Sequence, residues 1–172
     1  ADSPKAMMML DKHEGKAQQK KARKIPENDF LGCLHYIGKL PKLVKKNGEV
    51  TASGRFGFPA GGIRKAGVSA CRQVDGLKMT YARGVFKVMA DDLEKNLVEI
   101  LGVPKMCKHI AKNANKMPDI RFRAIFSEWR AKLSIKYDSK CITPAQLANL
   151  FNQAGFSVGL GDWRPERDGQ NG

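Results

Sequence analysis

The apolar positions between 143 and 154 repeat every three or four residues, which predicts a helix with one apolar face. Thr143 and Gln146 have the spacing of a capping box, so this helix is expected to begin there. Gly155 is the expected helix end, because glycine tolerates the left-handed conformation common at that position. Residues 156–158 then alternate apolar and polar, which predicts a short strand.

A second helix is predicted after Pro59, which follows the apolar strand positions Phe56 and Phe58. Its apolar positions recur at helical spacing, and they are Ile63, Ala66, Gly67, Ala70 and Val74. Most of these residues are small, so the helix is expected to pack closely against a sheet.

The middle of the chain has mainly strand-like patterns. Residues 79–89 predict two strands joined by a turn, and the alternation in 119–126 and 133–137 predicts two more strands. Residues 91–101 fit either a helix or a strand. Residues 104–118 contain many lysines and few apolar positions, which predicts a loop.

The first part of the chain is polar and basic. A basic arm is predicted around 11–27, either as a mobile solvated segment or as an arm that becomes ordered on an anionic ligand. Asn28 or Asp29 is expected to start a short helix or strand. A basic linker with turn residues follows, and its Asn47-Gly48 pair predicts a tight turn.

Strand–helix–strand order is expected in each half, around 56–88 and around 131–161. Two such units favour an α+β fold of the ferredoxin-like (RRM- or RAMP-like) type, with helices on one face of an antiparallel sheet. The length of 172 residues predicts a single domain, 1–172, with a glycine-rich C-terminal loop at 159–172.

The net charge of +14 and the pI of about 9.8 favour a polyanionic partner, nucleic acid first and an anionic membrane second. The chain contains no apolar run long enough for a membrane span, and no membrane association is expected. The four cysteines are widely spaced, which is typical of reduced thiols in a cytoplasmic protein.

The chemistry-bearing residues do not form a recognisable catalytic set. The three histidines are scattered, and no nucleotide-binding or nucleophile motif occurs. Cys33 and His35, like Cys107 and His109, are closer together than structural zinc ligands usually are. We therefore expect no enzyme activity, no metal and no cofactor, with a nuclease that uses His35 or His109 as the remaining catalytic hypothesis.

The loop at 159–172 combines glycines with Trp163, Arg164 and Arg167. Glycines let a ligand approach the backbone, arginine pairs with phosphate, and tryptophan offers a surface for a base. These residues predict a loop that contacts a nucleic-acid backbone. The alternative is a solvated turn in which acidic neighbours neutralise the arginines and the tryptophan packs on the core.

Other basic residues extend this prediction along the chain, although each is also compatible with an ordinary solvated surface. The candidate phosphate contacts are Lys20, Lys21, Arg23, Lys24, Lys42, Lys45, Lys46, Arg64, Lys65, Arg72, Arg121, Arg123, Arg164 and Arg167. Trp163 is the candidate for stacking, and the glycines of the loop are Gly159, Gly161 and Gly169.

Two segments resemble the RAMP proteins, the RNA-binding backbone and repeat-processing subunits of CRISPR effector complexes. FPAGGIRKAGVSACR, at 58–72, is similar to their strand–turn–helix motif, and GFSVGLGDWRPERDG, at 155–169, resembles their C-terminal glycine-rich loop. Gly61 and Gly62 replace the usual small hydroxyl residues, and the paired catalytic histidines of repeat-processing members are missing. The chain also resembles a widespread group of phage and prophage proteins.

The resemblance implies a ferredoxin-like module that binds single-stranded nucleic acid. We therefore expect a non-enzymatic single-strand-binding protein, phage-encoded, located in the bacterial cytoplasm and self-associating along the strand. The alternative is an anti-defence or assembly factor that binds an acidic protein or a host nucleoprotein complex.

Overall fold

Helices and strands both occur along the chain, and several of the strands pair antiparallel, so the α+β prediction is confirmed. The computed structural model describes residues 24–74, 76–112, 116–162, 164–167 and 169. The elements, in chain order, are α1 (Pro26–Cys33), β1 (Tyr36–Lys46), β2 (Glu49–Pro59), α2 (Ala60–Ala70), α3 (Met79–Val85), β3 (Phe86–Met89), β4 (Leu97–Gly102), β5 (Lys105–Lys112), β6 (Pro118–Ile125), β7 (Trp129–Arg130), β8 (Ser134–Tyr137) and α4 (Pro144–Gln153).

The chain divides into two compact units, each made of segments that are separate in sequence. Unit 1 contains Ala1–Gly57 and Glu99–Ala131, and unit 2 contains Phe58–Val98 and Lys132–Gly172. Each unit has its own cluster of buried apolar residues. The prediction of a single domain stays a prediction.

Unit 1 is built on a six-stranded sheet with the order β6-β5-β2-β4-β7, in which β1 also pairs with β2. Helix α1 packs on one face of this sheet, where Phe30 and Leu34 meet Ala52 and Phe56 in a buried cluster. The rings of Phe56 and Phe126 lie edge to face, with centroids 5.7 Å apart. We call the face that packs against α1 the inner face and the opposite one the outer face.

The basic linker predicted after residue 37 is part of a strand. Residues 42–46 of β1 pair with residues 49–53 of β2, and Leu43 points inward beside the buried Ala52. The lysines that suggested a linker are tolerated because one face of the strand is exposed. The predicted turn is confirmed, since Asn47 and Gly48 have φ values of 51° and 78° and close the hairpin.

The loop prediction for 104–118 is also wrong, because β5 occupies most of that segment. Strand β5 pairs along its whole length with β6, from Lys105 opposite Ile125 to Lys112 opposite Pro118. Strand β6 supplies the backbone hydrogen bonds of β5, and these bonds cannot be read from the sequence of β5 alone. The strand predicted in 119–126 is confirmed, and the ambiguous residues 97–101 belong to a strand.

Unit 2 has its core between α2, α4 and the short sheet of β3 and β8. The predicted small-residue face of α2 is buried, with Ile63, Ala66, Gly67 and Ala70 all inside. A side-chain carbon added at Gly67 would lie 3.2 Å from the ring of Phe86 and 3.3 Å from that of Phe151. The absence of a side chain at Gly67 therefore brings the helix close to both rings.

The capping box of α4 is confirmed. The Gln146 N–H donates to Thr143 Oγ1 at 3.3 Å, and the Thr143 N–H donates to Gln146 Oε1 at 2.9 Å. The predicted end of this helix at Gly155 and the strand at 156–158 are wrong. The chain continues as a π-helical turn, Ala154–Val158, in which Ser157 Oγ donates to the Gln153 carbonyl oxygen at 2.7 Å.

Residues 79–89 were predicted as two strands, and the first of them is helical instead. Helix α3 covers Met79–Val85, where Ala82 and Val85 are buried at helical spacing. The second half is the expected strand β3, which pairs antiparallel with β8. The β8 pairing confirms the strand predicted at 133–137.

Candidate nucleic-acid interface

The strand register of unit 1 gathers basic side chains on the outer face of its sheet. Lys42 lies opposite Ser53, Thr51 opposite Lys105, and Cys107 opposite Arg123. Partners in antiparallel strands point to the same side of a sheet, and alternate residues share a side. The basic side chains of the outer face are therefore Lys42, Lys46, Arg55, Lys105, His109, Arg121 and Arg123.

Acidic side chains offset part of this charge. Lys105 Nζ lies 3.1 Å from Glu49 Oε2, and Arg121 Nε lies 3.4 Å from Asp119 Oδ2. Lys24 pairs with Asp119, and hydrogen bonding first from Lys24 and then from Arg121 lowers the pKa of the Asp119 carboxyl. Asp119 therefore stays ionised and forms ion pairs with both Lys24 and Arg121.

The lysines of β1 divide between the two sides of the sheet. Lys42 and Lys46 are exposed on the outer face, and neither forms an ion pair among the residues that the structure describes, although Glu49 lies opposite Lys46 in the register and pairs with Lys105. Lys45 lies on the inner side, where its Nζ is 2.7 Å from Glu27 Oε1 of α1. The hydrogen bond from Lys45 lowers the pKa of Glu27. Lys42 and Lys46 are therefore the better placed to meet a ligand.

In unit 2, the two segments that resemble RAMP motifs come together around one open pocket. The pocket has a volume of about 180 Å³ and contains Lys65 from α2 beside Gly159, Gly161 and Arg164 from the glycine-rich loop. Gly159 and Gly161 have φ values of 69° and 81°, which only glycine adopts without strain.

Arg164 is part of the framework of this loop. Its Nη1 donates to the Gly161 carbonyl oxygen at 3.1 Å, and its Nε lies 3.4 Å from Glu166 Oε2. Arg72 Nη1 lies 3.9 Å from the other oxygen of Glu166. The acidic neighbour thus offsets part of the positive charge, as in the solvated-turn alternative, while Lys65 and Arg167 remain exposed.

Arg64, another candidate phosphate contact, is occupied within unit 2. Its Nε donates to the Phe86 carbonyl oxygen at 3.2 Å, and its Nη2 donates to the carbonyl oxygen of Arg83. These bonds connect α2 to the junction of α3 and β3. In this arrangement the guanidinium supports the fold of unit 2.

Several candidate residues lie outside the described residues. They are Lys20, Lys21, Arg23 and Trp163, together with most of the basic arm at 11–27. Gly169 is described, and its N–H donates to the Arg164 carbonyl oxygen at 3.1 Å. The roles predicted for Lys20, Lys21, Arg23 and Trp163 stay predictions.

Cys107 and His109 lie on the outer face, beside Arg123 and Arg121. The described part of the chain contains no group of His, Cys, Asp and Glu side chains arranged to hold a metal ion. The four cysteines are free thiols, and burial raises the pKa of the Cys71 thiol. Among the described helices, none combines the length and the apolar character that crossing a bilayer requires.

Sequence reasoning missed two parts of this surface. Lys105 was not among the predicted contacts, and His109 was considered only as a zinc ligand or catalytic residue, because their segment was assigned to a loop, although Met106 and Ile110 alternate with them as in a strand. Trp129 falls between the strands predicted at 119–126 and 133–137 and was not among the predicted contacts, yet 41% of its surface is exposed. In the sequence, the signal that could have identified Trp129 as a candidate contact is its position next to Arg130.

Comparisons with known proteins identify no relative for this arrangement. No family model matches the chain, and neither the curated proteins nor the solved structures compared with it include a match.

Proposed function

We propose that the protein binds single-stranded nucleic acid and performs no chemistry on it. The observation that carries this proposal is the outer face of unit 1, where Lys42, Lys46, Lys105, Arg121 and Arg123 come from neighbouring strands to one side of a sheet. Phosphate groups are the natural partners of such an array, and the net charge of +14 favours their approach.

The shape of the outer face favours an unpaired strand over a duplex. Neighbouring strands of a sheet lie about 4.8 Å apart, so the basic side chains form a broad surface rather than a ridge. Reading a duplex groove usually requires an inserted helix or a narrow β-ribbon. Open sheets bind unpaired strands, whose bases are free to turn towards protein side chains.

The pocket of unit 2 provides a second place for a phosphate. Lys65 is exposed at the side of this pocket. Gly159 and Gly161, whose positive φ values favour glycine, have no side chains that would block an approaching ligand. Arg164 and Glu166 hold the loop in shape. We include Lys65 and Arg167 among the contacts, and Arg164 as the residue that positions the loop.

We also propose a ferredoxin-like arrangement, self-association, a phage origin and a cytoplasmic location. Helix α1 on one face of the unit 1 sheet supports a ferredoxin-like arrangement. Exposed apolar residues such as Phe156, with 84% of its surface accessible, support self-association along a strand. A phage origin and a place in the bacterial cytoplasm rest on the resemblance to RAMP and prophage proteins.

The test is fluorescence anisotropy with labelled single-stranded RNA, single-stranded DNA and duplex DNA. We expect both single strands to bind more tightly than the duplex. The double variant Lys42→Gln/Lys46→Gln should bind single strands less tightly and with a smaller salt dependence, by about one unit of slope per lost phosphate contact. Lys45→Gln is the matched control, since its side chain lies on the inner side and pairs with Glu27.

The same loss per substituted lysine in the double variant and in the control would show that general charge, not the outer face, supports binding. Absence of binding to all three probes would contradict the proposal. An acidic protein partner would then be the hypothesis to test on the same face.

A further inference from the structure

Unit 1 contains an open groove at the end of its sheet where β7 pairs with β4. The groove has a volume of about 840 Å³ and is lined by Leu101, Val103, Lys105, Trp129 and Arg130, among others. Its apolar side chains are unusually exposed, with 61% of Leu101, 62% of Val103 and 41% of Trp129 accessible. One aromatic residue, two aliphatic residues and two cations therefore line this groove, with Arg130 on the same side of the strand pair as Leu101 and Trp129 on the side of Gly102.

Gly102 sets the geometry of this groove. It lies opposite Trp129 in the pairing of β4 with β7, and Leu101 lies opposite Arg130. A side-chain carbon at Gly102 would lie 2.7 Å from the Glu128 carbonyl oxygen and 3.4 Å from the Trp129 Cα atom. The missing side chain allows β7 to lie directly against β4, which fixes the backbone that carries Trp129.

We propose that this groove binds one base of an unpaired strand, stacked on Trp129, with the adjoining phosphates passing round β7, the last strand in the sheet order, to Arg130 and Lys105. This inference rests on the proposed function and names a site within it. A nucleotide is the ligand that combines a flat apolar ring with a nearby negative charge, as the groove combines an apolar surface with cations. Glu128 also lines the groove and adds one negative charge to the two cations.

The charge of the groove argues for a nucleotide over a second copy of the chain. Each copy carries a net charge of +14, so two copies would bring like charges together at Lys105 and Arg130. A phosphodiester strand meets the same residues with opposite charge.

Tryptophan fluorescence tests the site directly. The chain has two tryptophans, so Trp163→Phe leaves Trp129 as the only one and keeps an aromatic ring at 163. The probe is an oligothymidylate of about 12 nucleotides, within the range of known single-strand site sizes. Its abasic counterpart has the same phosphates and no bases. We expect the oligothymidylate to quench Trp129 and the abasic strand to bind without quenching.

The affinity measurement uses Trp129→Leu, which keeps an apolar side chain and removes the aromatic surface. We expect its affinity for the oligothymidylate to fall roughly 5- to 100-fold and its affinity for the abasic strand to change less than about twofold. Trp129→Phe should lose less than Trp129→Leu. Tyr81→Leu is the matched control, because it removes an exposed aromatic residue, 49% of whose surface is accessible, that does not line the groove.

Binding of the oligothymidylate by anisotropy without quenching of Trp129 would overturn this site and leave the proposed function standing. Failure of both strands to bind would overturn the function and the site together. A Trp129 signal that changes with protein concentration alone would assign the groove to a second copy of the chain and also overturn the inference.

Discussion

At the scale of single residues, the ion pairs decide how much of the basic charge is available to a ligand. Lys45 is held by Glu27, Arg55 by Glu99, and Arg64 by backbone carbonyl oxygens. The sequence contains an excess of lysine and arginine, and Lys45 and Arg64 were predicted from it as phosphate contacts. It gave no sign of these partners, because they lie far away along the chain and meet only after folding.

The pair of Arg55 and Glu99 leads to a prediction about acid stability. Arg55 Nε and Nη2 donate to the two carboxylate oxygens at 2.7 and 2.9 Å, and this hydrogen bonding lowers the pKa of Glu99. A lowered folded-state pKa stabilises the fold above the ordinary glutamate pKa of about 4.3, and the stabilisation is lost as pH falls through the folded-state value.

We therefore expect Glu99→Gln to lower the thermal midpoint at neutral pH, by the modest amount typical of an exposed pair, at most about 1 kcal/mol. The difference from the wild type should shrink below about pH 4. Melting curves across this pH range check it, with Glu94→Gln as an exposed control that has no ion pair among the described residues. A difference that stays constant with pH would contradict the role of the carboxylate charge.

At the scale of elements, patterns with a strong local signal were predicted well. The capping box of α4 and the buried face of α2 depend on residues close in sequence, and the structure has both. Strand β5 was missed because its order comes from β6, and the basic stretch in β1 became a strand because it pairs with β2. The hydrogen bonds to a partner strand cannot be read from a short stretch of sequence.

The capping box of α4 gives an element-scale prediction. Thr143→Ala removes the oxygen that accepts from the Gln146 N–H, which leaves a helix-end donor without its side-chain partner. We expect the free energy of unfolding to fall by about 1 kcal/mol, within the range of 0.5–2 kcal/mol known for such caps. Urea denaturation measures it. Thr143→Ser keeps the hydroxyl and should retain most of the stability, so equal losses in the two variants would contradict a capping role.

At the scale of the whole molecule, the predicted order of elements gave the α+β class and the net charge indicated the kind of partner to test, but neither predicted the division into two units. That division follows from contacts among segments far apart in sequence, such as Phe56 with Phe126 and Phe86 with Phe151. The candidate site was predicted in the same uneven way. Lys42, Lys46 and Lys65 were named from charge alone, whereas Trp129 and the outer face required the strand register.

The net charge leads to a prediction for the intact protein. If about six phosphates are contacted, the affinity for a single strand should fall by roughly 10³ between about 50 and 200 mM salt, because each contact releases counterions. Anisotropy titrations over that range check it. A strand with an uncharged methylphosphonate backbone is the control, and its affinity should change little with salt. A flat salt dependence for the charged strand would contradict phosphate binding.

Unit 1 consists of two segments separated by part of unit 2, and this order affects when its sheet can form during synthesis. When the ribosome has completed Gly57, the hairpin of β1 and β2 still lacks β5 and β6, which come only after Phe58–Val98. At roughly 5–20 residues per second, this intervening segment takes about 2–8 s to synthesise. A hairpin alone is marginally stable, so during those seconds the nascent chain exposes an incomplete sheet edge. That edge of β2 therefore stays unpaired until the segment that carries β4 and β5 has been synthesised.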